Sequence, residues 1–540
     1  MKRLLDTIAR RTAAEIGVVR KDHGGQVRVC LVYPNTYRVG MASLGFQTIY
    51  HLFNSDPGVV CERAFVPDEE DLADLERTGA GLVSYESEMP LGQFDAIAFS
   101  ISYELDYVGV ARVLRLAKVP AMAAERGEEY PIVMAGGAAV SINPEPLGDL
   151  MDVVVLGEGE EVVGELVGRW EEASSCRTGV GWQEASSCRT GKRWQEASSC
   201  RTGERWQEAS SCRTGKRWQE ASSCRTAESA AGVDTPAIQQ RRYVSDLERW
   251  PTHSRVLTKE AEFGDLFLVE VSRGCGRGCK FCVTPTCYWP LRWRSADSVL
   301  RSAREGLEHR KAIGLVGAAV SDHPEMDEIA TRIVGMGARL SVSSLRADSV
   351  SEALLQALVR SGARSITIAP EAGSERLRLA IGKGITDEQI FDCLGRAAAL
   401  GMKEAKLYFM VGLPGETEAD IEAIPALVRR CVKAGDLRRV TVAAGAFVPK
   451  PGTPYEAEGM LPVRELSRRL RVVRAGVRRE KKVRLALESA NWSAIEGVLS
   501  QGDRRLGEVI VKAEAGGGNL AAWRGAMRGQ ATEAAGSDSD

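Results

Sequence analysis

The sequence of 540 residues contains no uninterrupted apolar stretch of the roughly 18 residues that a membrane-spanning helix needs. Its first residues, MKRLLDTIARRTAAEIG, lack the continuous apolar core of a signal peptide and indicate a short amphipathic helix. Neither sign of charge prevails, because 71 basic residues face 73 acidic ones and the net charge is −2. No global field favours nucleic acid or an anionic membrane, so we expect a cytoplasmic protein without membrane partners.

The composition is that of a globular protein, with 44% hydrophobic and 27% charged residues. The length predicts three or four folding units of about 150 residues each. The chain also holds 13 cysteines. In a reducing compartment most of them are ligands, nucleophiles or core residues rather than partners in disulfides.

Five of these cysteines belong to a tandem repeat. Near-identical copies of W-[EQ]-E-A-S-S-C-R-T-G recur every twelve residues, and their cysteines are Cys176, Cys188, Cys200, Cys212 and Cys224. Twelve residues match neither helical stacking nor the repeat lengths of solenoids. A metal-binding array is the alternative, but one thiol per copy without histidine makes a poor site. We interpret residues 169–230 as a disordered insertion that forms a surface loop or linker.

Residues 26–168 alternate short β-branched runs with helical stretches. The strand-like runs are VRVCLVYP (27–34), DAIAFSIS (95–102), YPIVMAGG (130–137) and DVVVLGEGE (152–160). Continuous apolar strands joined by helices indicate a parallel sheet covered on both faces, which is a doubly wound, Rossmann-like α/β domain. Ligands of such sheets bind beyond the carboxyl ends of the strands.

A cysteine triad follows the apolar strand DLFLVEVS (265–272). The sequence R-G-C-G-R-G-C-K-F-C spaces Cys275, Cys279 and Cys282 as C-x3-C-x2-C. Thiolates hold iron–sulfur clusters, and the neighbouring glycines allow a tight loop in which three sulfurs converge. Three ligands leave one iron of a [4Fe–4S] cluster open, whereas zinc wants a fourth ligand, for which Cys287 is a candidate.

This spacing, with Phe281 before the last cysteine and about six βα units over residues 265–460, resembles the radical SAM superfamily. The resemblance implies a partial (β/α)6 barrel with chemistry at the carboxyl ends of its strands. It implies a [4Fe–4S] cluster on the three cysteines, with S-adenosylmethionine (SAM) on the open iron. A reduced flavodoxin or ferredoxin would supply the electron that splits SAM into methionine and a 5′-deoxyadenosyl radical, which takes a hydrogen atom from the substrate.

The same resemblance implies contacts to SAM. Phe281 borders the adenine side, and Glu371, in A-P-E-A-G-S-E-R-L, faces the ribose. Arg346 suits the SAM carboxylate, since a guanidinium fork fits that group. The backbone of V-G-L-P-G-E-T lies near the adenine through Gly412, Pro414 and Glu416. A structural salt bridge is the alternative for Glu371 and Arg346, and helix capping is the alternative for Glu416.

One segment departs from the family pattern, and two arginines near the cysteine loop need a separate interpretation. The Gly-Gly-Glu segment expected after the second barrel strand is absent, and Ser321 and Asp322 fall near its place. Arg292 and Arg294, in P-L-R-W-R-S, are expected to be solvated at a strand exit rather than to bind an anion.

The first unit resembles the cobalamin-binding-like domain that precedes many radical SAM domains. The resemblance lies in YPNTYRVGMASLGF, AGGAAVSINPEPL and D-x-V-V-x-G-E-G-E. The D-x-H-x-x-G loop that replaces the lower cobalt ligand is absent, and none of the 5 histidines stands in that pattern. The resemblance therefore implies either cobalamin bound without histidine ligation or a domain that binds no corrinoid.

The C-terminal part begins with a basic segment. Residues 464–484 hold ten basic residues and two acidic ones, and Leu466, Leu470, Val473 and Val477 share one helical face. The pattern indicates either a docking helix for RNA or a solvated helix packed on the barrel. We expect residues 1–25 to form an N-terminal helix, 231–264 a linker, 461–526 a small helical unit and 527–540 a disordered tail.

Two other functions compete with a radical SAM enzyme of unknown substrate. The first is a methylthiotransferase acting on RNA or protein, because the Glu371 and G-L-P-G-E-T segments resemble that group of enzymes. It needs a second cluster on three N-terminal cysteines, however, and outside the repeat this unit offers only Cys30 and Cys61. The other is a non-catalytic iron–sulfur or zinc protein that binds nucleic acid through the basic helix. No motif identifies a substrate.

Overall fold

A computed structural model of the chain describes residues 1–175, 237–238 and 241–536. The five repeat cysteines lie outside the described residues, as does most of the predicted insertion. A helix over Glu160–Ser175 enters the first part of that insertion, and another over Leu520–Gly536 runs through most of the predicted tail. Among the described residues, no helix has the length and apolar character needed to cross a membrane.

The first domain is built on a parallel sheet. Its strands are β1 (Val27–Thr36), β2 (Val59–Val66), β3 (Ala96–Ser100), β4 (Ile132–Gly136), β5 (Val153–Val154) and β6 (Ala237–Ile238). They lie in the order β2-β1-β3-β4-β5-β6, and every neighbouring pair is parallel. All eight residues of β2 are buried, which requires a sheet covered on both faces. The predicted doubly wound domain is confirmed.

Helices cover both faces of this sheet. They span Lys2–Ala14, Tyr37–Gly40, Leu44–Ser55, Glu69–Thr78, Tyr107–Leu116, Ala138–Ile142 and Glu160–Ser175. Ser43 fixes the start of one of them, because its side chain accepts a hydrogen bond from the N–H of Phe46. The N-terminal helix packs Leu4 and Ile8 into the core of this domain. Residues 1–14 are therefore part of the domain.

The second domain is a partial (β/α) barrel. Its strands, in chain order, are β7 (Phe267–Glu270), β8 (Ser272–Arg273), β9 (Arg292–Trp293), β10 (Ala312–Val316), β11 (Arg339–Val342), β12 (Ser365–Glu371), β13 (Glu404–Val411), β14 (Arg439–Ala446) and β15 (Val483–Leu487). Parallel sheets β7-β10-β11 and β12-β13-β14-β15 form the wall, and a parallel bridge between Leu345 and Ile368 joins them. The predicted barrel is confirmed, with seven wall strands instead of about six.

Helices surround the barrel wall. They span Thr284–Cys287, Ala296–Leu307, Met326–Gly335, Glu352–Arg360, Glu375–Ala380, Asp387–Ala399, Glu418–Ala434 and Val463–Val477. Their apolar faces share one core with outward strand residues such as Ile366, Leu407 and Val442. A capping box of Thr386 and Gln389 fixes the start of Asp387–Ala399.

The segment predicted as a small helical unit, 461–526, divides between the two domains. Its first helix and β15 belong to the barrel, where β15 pairs in parallel with β14. The remaining helices, Ala490–Gln501, Leu506–Ala515 and Leu520–Gly536, pack on the first domain, and Trp523 is fully buried in that core. The chain thus returns to its first domain after completing the barrel.

Candidate functional site

The cysteine triad lies on a loop that the antiparallel pair β8–β9 closes at its base. Ser272 pairs with Trp293 and Arg273 with Arg292, so residues 274–291 project from one anchor. Gly274 has φ +85°, and a Cβ there would lie 2.4 Å from the carbonyl oxygen of Tyr288. Only glycine fits that turn, which brings the chain straight from the strand into the cysteines.

All three thiols of the loop are free and partly exposed. The Cys282 thiol lies 3.4 Å from the hydroxyl oxygen of Thr284. Burial raises the pKa of Cys279, although Lys383 and Arg346 act in the opposite direction. Cys287, the candidate fourth ligand, is buried and directs its sulfur to the carbonyl oxygen of Ala138 in the first domain, 3.9 Å away. The donor set on the loop is therefore three thiols.

Three soft sulfur donors on one glycine-rich loop fit an iron–sulfur cluster. Within the described ranges, no three histidine, cysteine, aspartate or glutamate side chains lie close enough to hold one metal ion. A [4Fe–4S] cluster makes a different demand, because each cysteine binds a separate iron at its own corner. The partly exposed thiols of Cys275, Cys279 and Cys282 meet that demand in type and in number.

A cavity of about 340 Å³ adjoins Cys275. Its lining includes Arg277, Ser321, Asp322 and Ser349. Arg277 donates two hydrogen bonds of 2.7 Å to the carboxylate of Asp322. Burial alone would raise the pKa of Asp322, but hydrogen bonds from Arg277 and Ser349 hold it below its ordinary value. The residues that replace the Gly-Gly-Glu segment thus do reach the space beside the cysteines.

Arg346 and Glu371 both lie beside Lys383. Arg346 donates to both carboxylate oxygens of Asp348, at 2.9 and 3.0 Å, and to the carbonyl oxygen of Lys383. The Lys383 ammonium donates to Glu371 at 3.1 Å. Burial raises the pKa of Glu371, while the Lys383 charge lowers it. Each residue therefore has a salt bridge, as the structural alternative predicts, although the two do not pair with each other.

Glu371 sits at a bulge where β12 ends. The pairing of β12 with β13 shifts register between Ile368 and Glu371, and Glu371 itself has φ +69°. A non-glycine residue in this left-handed region costs of order 1 kcal/mol, and such strain clusters at functional sites. The bulge places the carboxylate beside Lys383.

Phe281 lies in a small apolar cluster at the mouth of the barrel. It packs against buried residues that include Ala372, Leu413, Phe447 and Tyr455. Leu413 belongs to the V-G-L-P-G-E-T loop, whose Gly412 has φ +85°. The structure therefore brings Phe281 and the Gly412–Pro414 turn to one apolar cluster, and their contacts to SAM stay a prediction.

Glu416 turns back into this loop. Its carboxylate accepts a hydrogen bond of 2.6 Å from the N–H of Gly412 and pairs with Arg469. The following helix is capped by Thr417 together with Asp420. The alternative that Glu416 caps this helix is therefore wrong. Instead its side chain, which is only 1% exposed, stabilises the turn at Gly412 through this hydrogen bond.

Buried ion pairs fasten the base of the cysteine loop to the first domain. Glu158 and Glu160 follow β5, and both bind Arg273, at 3.1 and 2.7 Å. Glu158 also binds Arg292 at 2.5 Å, across the β8–β9 pair. Arg273 further pairs with Glu270. We call these five residues the interdomain clamp.

The expectation for Arg292, a clamp residue, and for the neighbouring Arg294 is wrong. Arg292 and Arg294 are not solvated at a strand exit, since their side chains are 8% and 2% exposed. Arg294 pairs with Glu270 at 2.5 Å. A buried arginine must find carboxylates or carbonyl oxygens, and here those partners come from both domains.

Sequence reasoning missed the partners rather than the motifs. The D-x-V-V-x-G-E-G-E motif was visible, but its contact with Arg273 and Arg292 was not. Arg277, within the cysteine motif itself, and Asp348, two residues after Arg346, were also missed. The signal for Arg277 and Asp348 was their closeness in sequence to Cys275 and Arg346.

Two segments of the chain match known protein families. Residues 45–184 match the family described as radical SAM proteins, N-terminal. Residues 269–428 match the radical SAM superfamily. The second match starts within β7 and includes the three cysteines, Glu371 and the Gly412–Glu416 turn.

Several proteins are similar in sequence. An uncharacterised protein of Methanocaldococcus jannaschii is 26% identical over 494 residues, which cover 89% of this chain and 90% of that protein. An uncharacterised methyltransferase of Pyrococcus horikoshii is 28% identical over 193 residues, 34% of this chain and 40% of that protein. The tRNA-2-methylthio-N(6)-dimethylallyladenosine synthase of Chromohalobacter salexigens is 27% identical over 213 residues, 37% of this chain and 46% of that protein. The chain spans less than half the length of the last two relatives.

Solved structures with a similar arrangement include two enzymes. The radical SAM methyltransferase TsrM from Kitasatospora setae has a TM-score of 0.47 at 16% identity, over 80% of this chain and 75% of that one. The cobalamin-dependent SAM radical enzyme OxsB has a TM-score of 0.46 at 15% identity, over 74% of this chain and 52% of that one.

Proposed function

Because the chain belongs to the radical SAM superfamily, we propose that it is an enzyme that cleaves SAM reductively and acts on a substrate through a carbon-centred radical. The observation that carries the proposal is the loop of Cys275, Cys279 and Cys282. Its three free thiols are partly exposed, and Cys275 lines a cavity at the carboxyl end of the barrel. Chemistry in barrels of this kind takes place at that end.

Cys275, Cys279 and Cys282 would hold a [4Fe–4S] cluster, which together with SAM would supply the electron transfer that breaks a carbon–sulfur bond of SAM. The protein holds and orients these groups. Phe281 and the Gly412–Pro414 turn form the apolar side that suits adenine. We assign the SAM carboxylate to the positive charges of Arg346 and Lys383, and the ribose to Glu371, which lies beside Lys383.

Glu416 acts indirectly in this proposal. It holds the N–H of Gly412 and pairs with Arg469, so it fixes the turn rather than contacting SAM through its own carboxylate. Ser321 and Asp322 take the place of the Gly-Gly-Glu segment for the SAM amino group. Asp322 is suited to this because it keeps its negative charge beside Arg277.

The electron donor and the location of the protein follow from this chemistry. The cluster needs a low-potential one-electron donor, and a reduced flavodoxin or ferredoxin is our proposal. Such donors and reduced thiols are compatible with the cytoplasm.

Cobalamin binding by the first domain is a separate proposal. A corrinoid would bind beyond the carboxyl ends of the strands, but in the first domain these ends already contact the barrel. Glu104, after β3, binds Lys450 at 2.7 Å, and Ala138, after β4, contacts Cys287. Glu158, after β5, belongs to the interdomain clamp. We therefore assign no step to a corrinoid. Retention of hydroxocobalamin by the purified protein through gel filtration would show that one binds without a histidine ligand.

A methylthiotransferase is the alternative reaction. It requires a second cluster, and within the described part of the first domain the only cysteines are Cys30 and Cys61. Both are fully buried on the neighbouring strands β1 and β2. Iron counting on the reconstituted protein tests this alternative, because about eight irons per chain instead of four would favour it.

A second candidate function is RNA binding through the basic helix Val463–Val477. Its apolar face is buried in the barrel core, which agrees with the alternative of a helix packed on the barrel. Arg468 and Arg469 are engaged by Glu418, Glu465 and Glu416. Arg471, Arg474, Arg478 and Arg479 are exposed and have no ion-pair partner among the described residues. Binding to RNA that weakens steeply with salt, without SAM cleavage, would support this candidate.

The decisive experiment measures SAM cleavage. The full-length protein is reconstituted anaerobically, mixed with dithionite and SAM, and assayed for 5′-deoxyadenosine. We expect product from wild type and none from the Cys275→Ala, Cys279→Ala, Cys282→Ala triple variant, which cannot hold the cluster. A Cys393→Ala variant, altered at a buried cysteine on an outer helix, should retain activity. No cleavage by a wild type that holds a [4Fe–4S] cluster would contradict the proposal.

A further inference from the structure

The inward faces of β12, β14 and β15 carry several small side chains. Along β12, β13 and β14 the residues alternate, and those that point outward are buried beneath the helices. The residues of the opposite face point inward and are partly or fully exposed. They include Thr367, Ala369, Thr441, Ala443 and, on β15, Ala486.

Such an interior differs from that of a closed barrel, where layers of bulky branched side chains fill the centre. Here the small residues leave space, and Tyr408 is 37% exposed although it lies in the middle of the wall. Among the strands that the structure describes, none lies beside the outer edge of β15. The inward face of β12–β15 is therefore accessible to solvent, and we call the space that it borders the chamber.

Two cations share one level of this chamber. Strand register places Lys406 beside Thr441, and Thr441 beside Arg484. Val483, Leu485 and Leu487 pack against the outer core, so Arg484 points away from the basic helix and into the chamber. With strands about 4.8 Å apart, the Lys406 and Arg484 backbones lie about 10 Å from each other.

Neither cation has a carboxylate partner among the described residues. The contact of Lys406 is with the ring of Tyr408, 4.6 Å from its ammonium group to the ring centroid. The carboxylates nearest in register are engaged or lie at other levels: Glu404 binds Arg439, and Glu371 binds Lys383. Glu488, two levels above Arg484, folds over Gly445. Two positive charges thus face the chamber without compensation.

We propose that the substrate is an elongated molecule with an anionic group, a carboxylate or a phosphate, which Lys406 and Arg484 bind inside the barrel. This inference rests on the proposed function, because it assigns the substrate class of the same reaction. Lys406 lies five residues before the end of β13 at Val411. At about 3.3 Å per residue, the anionic end sits about 16 Å below the mouth.

The charges and shapes of the two side chains suit this role. Arginine binds carboxylate or phosphate oxygens with two parallel hydrogen bonds, and lysine adds a compact charge. Tyr408, one level nearer the mouth, offers an exposed ring to the middle of the substrate. Ala443 and Ala486 lie at the level of Tyr408, so they leave room beside the ring.

The test measures anion binding by the full-length protein, without SAM or reductant. Calorimetry at low salt uses two probes, pyrophosphate and glutarate, which distinguish phosphate from carboxylate recognition. We expect wild type to bind at least one probe and the Lys406→Gln, Arg484→Gln double variant to bind it at least tenfold more weakly. Arg484→Gln alone should weaken binding severalfold. This single variant alters a solvent-facing side chain on an edge strand, so folding is not at risk.

The matched control removes two charges from the outer surface, with Arg304→Gln and Arg360→Gln. Both residues are exposed in the last turns of outer helices, and we expect binding equal to that of wild type. Equal binding by the double variant and wild type, or no binding by wild type at millimolar probe, would overturn the inference. Because the assay needs neither cluster nor SAM, its outcome is independent of the 5′-deoxyadenosine measurement.

Discussion

Asp106 is a buried carboxyl group whose charge the protein tolerates poorly. It follows β3, is 8% exposed, and accepts a hydrogen bond of 2.7 Å from the side chain of Asn35. Burial, aided by the nearby Glu104, raises its pKa from 3.8 to about 6. It also lines a cavity of about 650 Å³ at the carboxyl ends of β1 and β2.

The raised pKa of Asp106 gives a signed pH dependence of stability. The neutral form is favoured in the folded state, so the stabilising contribution is complete below pH 3.8 and is lost as pH rises through about 6. We expect Asp106→Asn, which stays neutral, to be more stable than wild type at pH 7.5 by at most about 3 kcal/mol. The difference should shrink at pH 5. Thermal midpoints at both pH values measure it, and a pH-independent difference would contradict the assignment.

Single residues also show how far the sequence can be interpreted. Cys275, Cys279 and Cys282 could be predicted because their spacing is local and their ligand chemistry is narrow. The surroundings of Arg292 could not, because its partner Glu158 lies 134 residues away along the chain. An arginine without a nearby carboxylate in the sequence is interpreted as solvent-exposed. Whether it is buried depends on which distant carboxylate lies beside it in the folded protein.

At the scale of secondary-structure elements, the interdomain clamp joins the end of β5 to the β8–β9 pair. Glu158 accepts from the N–H of Val244 at 2.7 Å and binds both Arg273 and Arg292. Its side chain is 2% exposed. Removing its charge leaves two buried guanidinium groups with fewer partners, which costs several kcal/mol in comparable sites.

We therefore expect Glu158→Gln to loosen the cysteine loop. In the protein without its cluster, alkylation of Cys275, Cys279 and Cys282 should become severalfold faster, because the loop loses its fixed base. Peptide mass spectrometry after timed iodoacetamide treatment measures this for each thiol. The control is Glu161→Gln, which changes an exposed carboxylate three residues further on, in the first turn of the helix Glu160–Ser175, and should not alter the rates. Unchanged rates in both variants would show that the clamp does not hold the loop.

Element prediction succeeded where the pattern was long and failed where it was short. The barrel strands β13 and β14 have eight residues each with clear alternation, and they lie among the βα units predicted over residues 265–460. The five residues of β15 lie between two helices in a segment predicted as helical. Its alternation is too brief to outweigh the helical neighbours, and pairing with β14 decides its conformation.

At the scale of the whole molecule, the last helices complete the first domain. Arg115 of that domain binds Glu514 at 2.8 Å, and Asn143 donates to the carbonyl oxygens of Ser500 and Gly502. Trp523 is fully buried in the same core. No local pattern could have predicted this, because the two halves of the core are separated by the entire barrel.

We expect Trp523→Ala to destabilise the first domain by about 3–5 kcal/mol, since it leaves a large cavity in a packed core. Limited proteolysis followed by mass spectrometry should show earlier cleavage in residues 26–168 than in the barrel. Val498→Ala, at an exposed position on a neighbouring helix, is the matched control and should behave as wild type. Earlier cleavage in the barrel alone would contradict the shared core.

The shared core has a consequence for synthesis on the ribosome. About 350 residues separate the helix Glu160–Ser175 from Trp523. At roughly 5–20 residues per second, the nascent first domain waits about 20–70 s with an open apolar surface. The domain that is translated first is thus the last to be finished, and during that interval it is the part of the chain most in need of a chaperone.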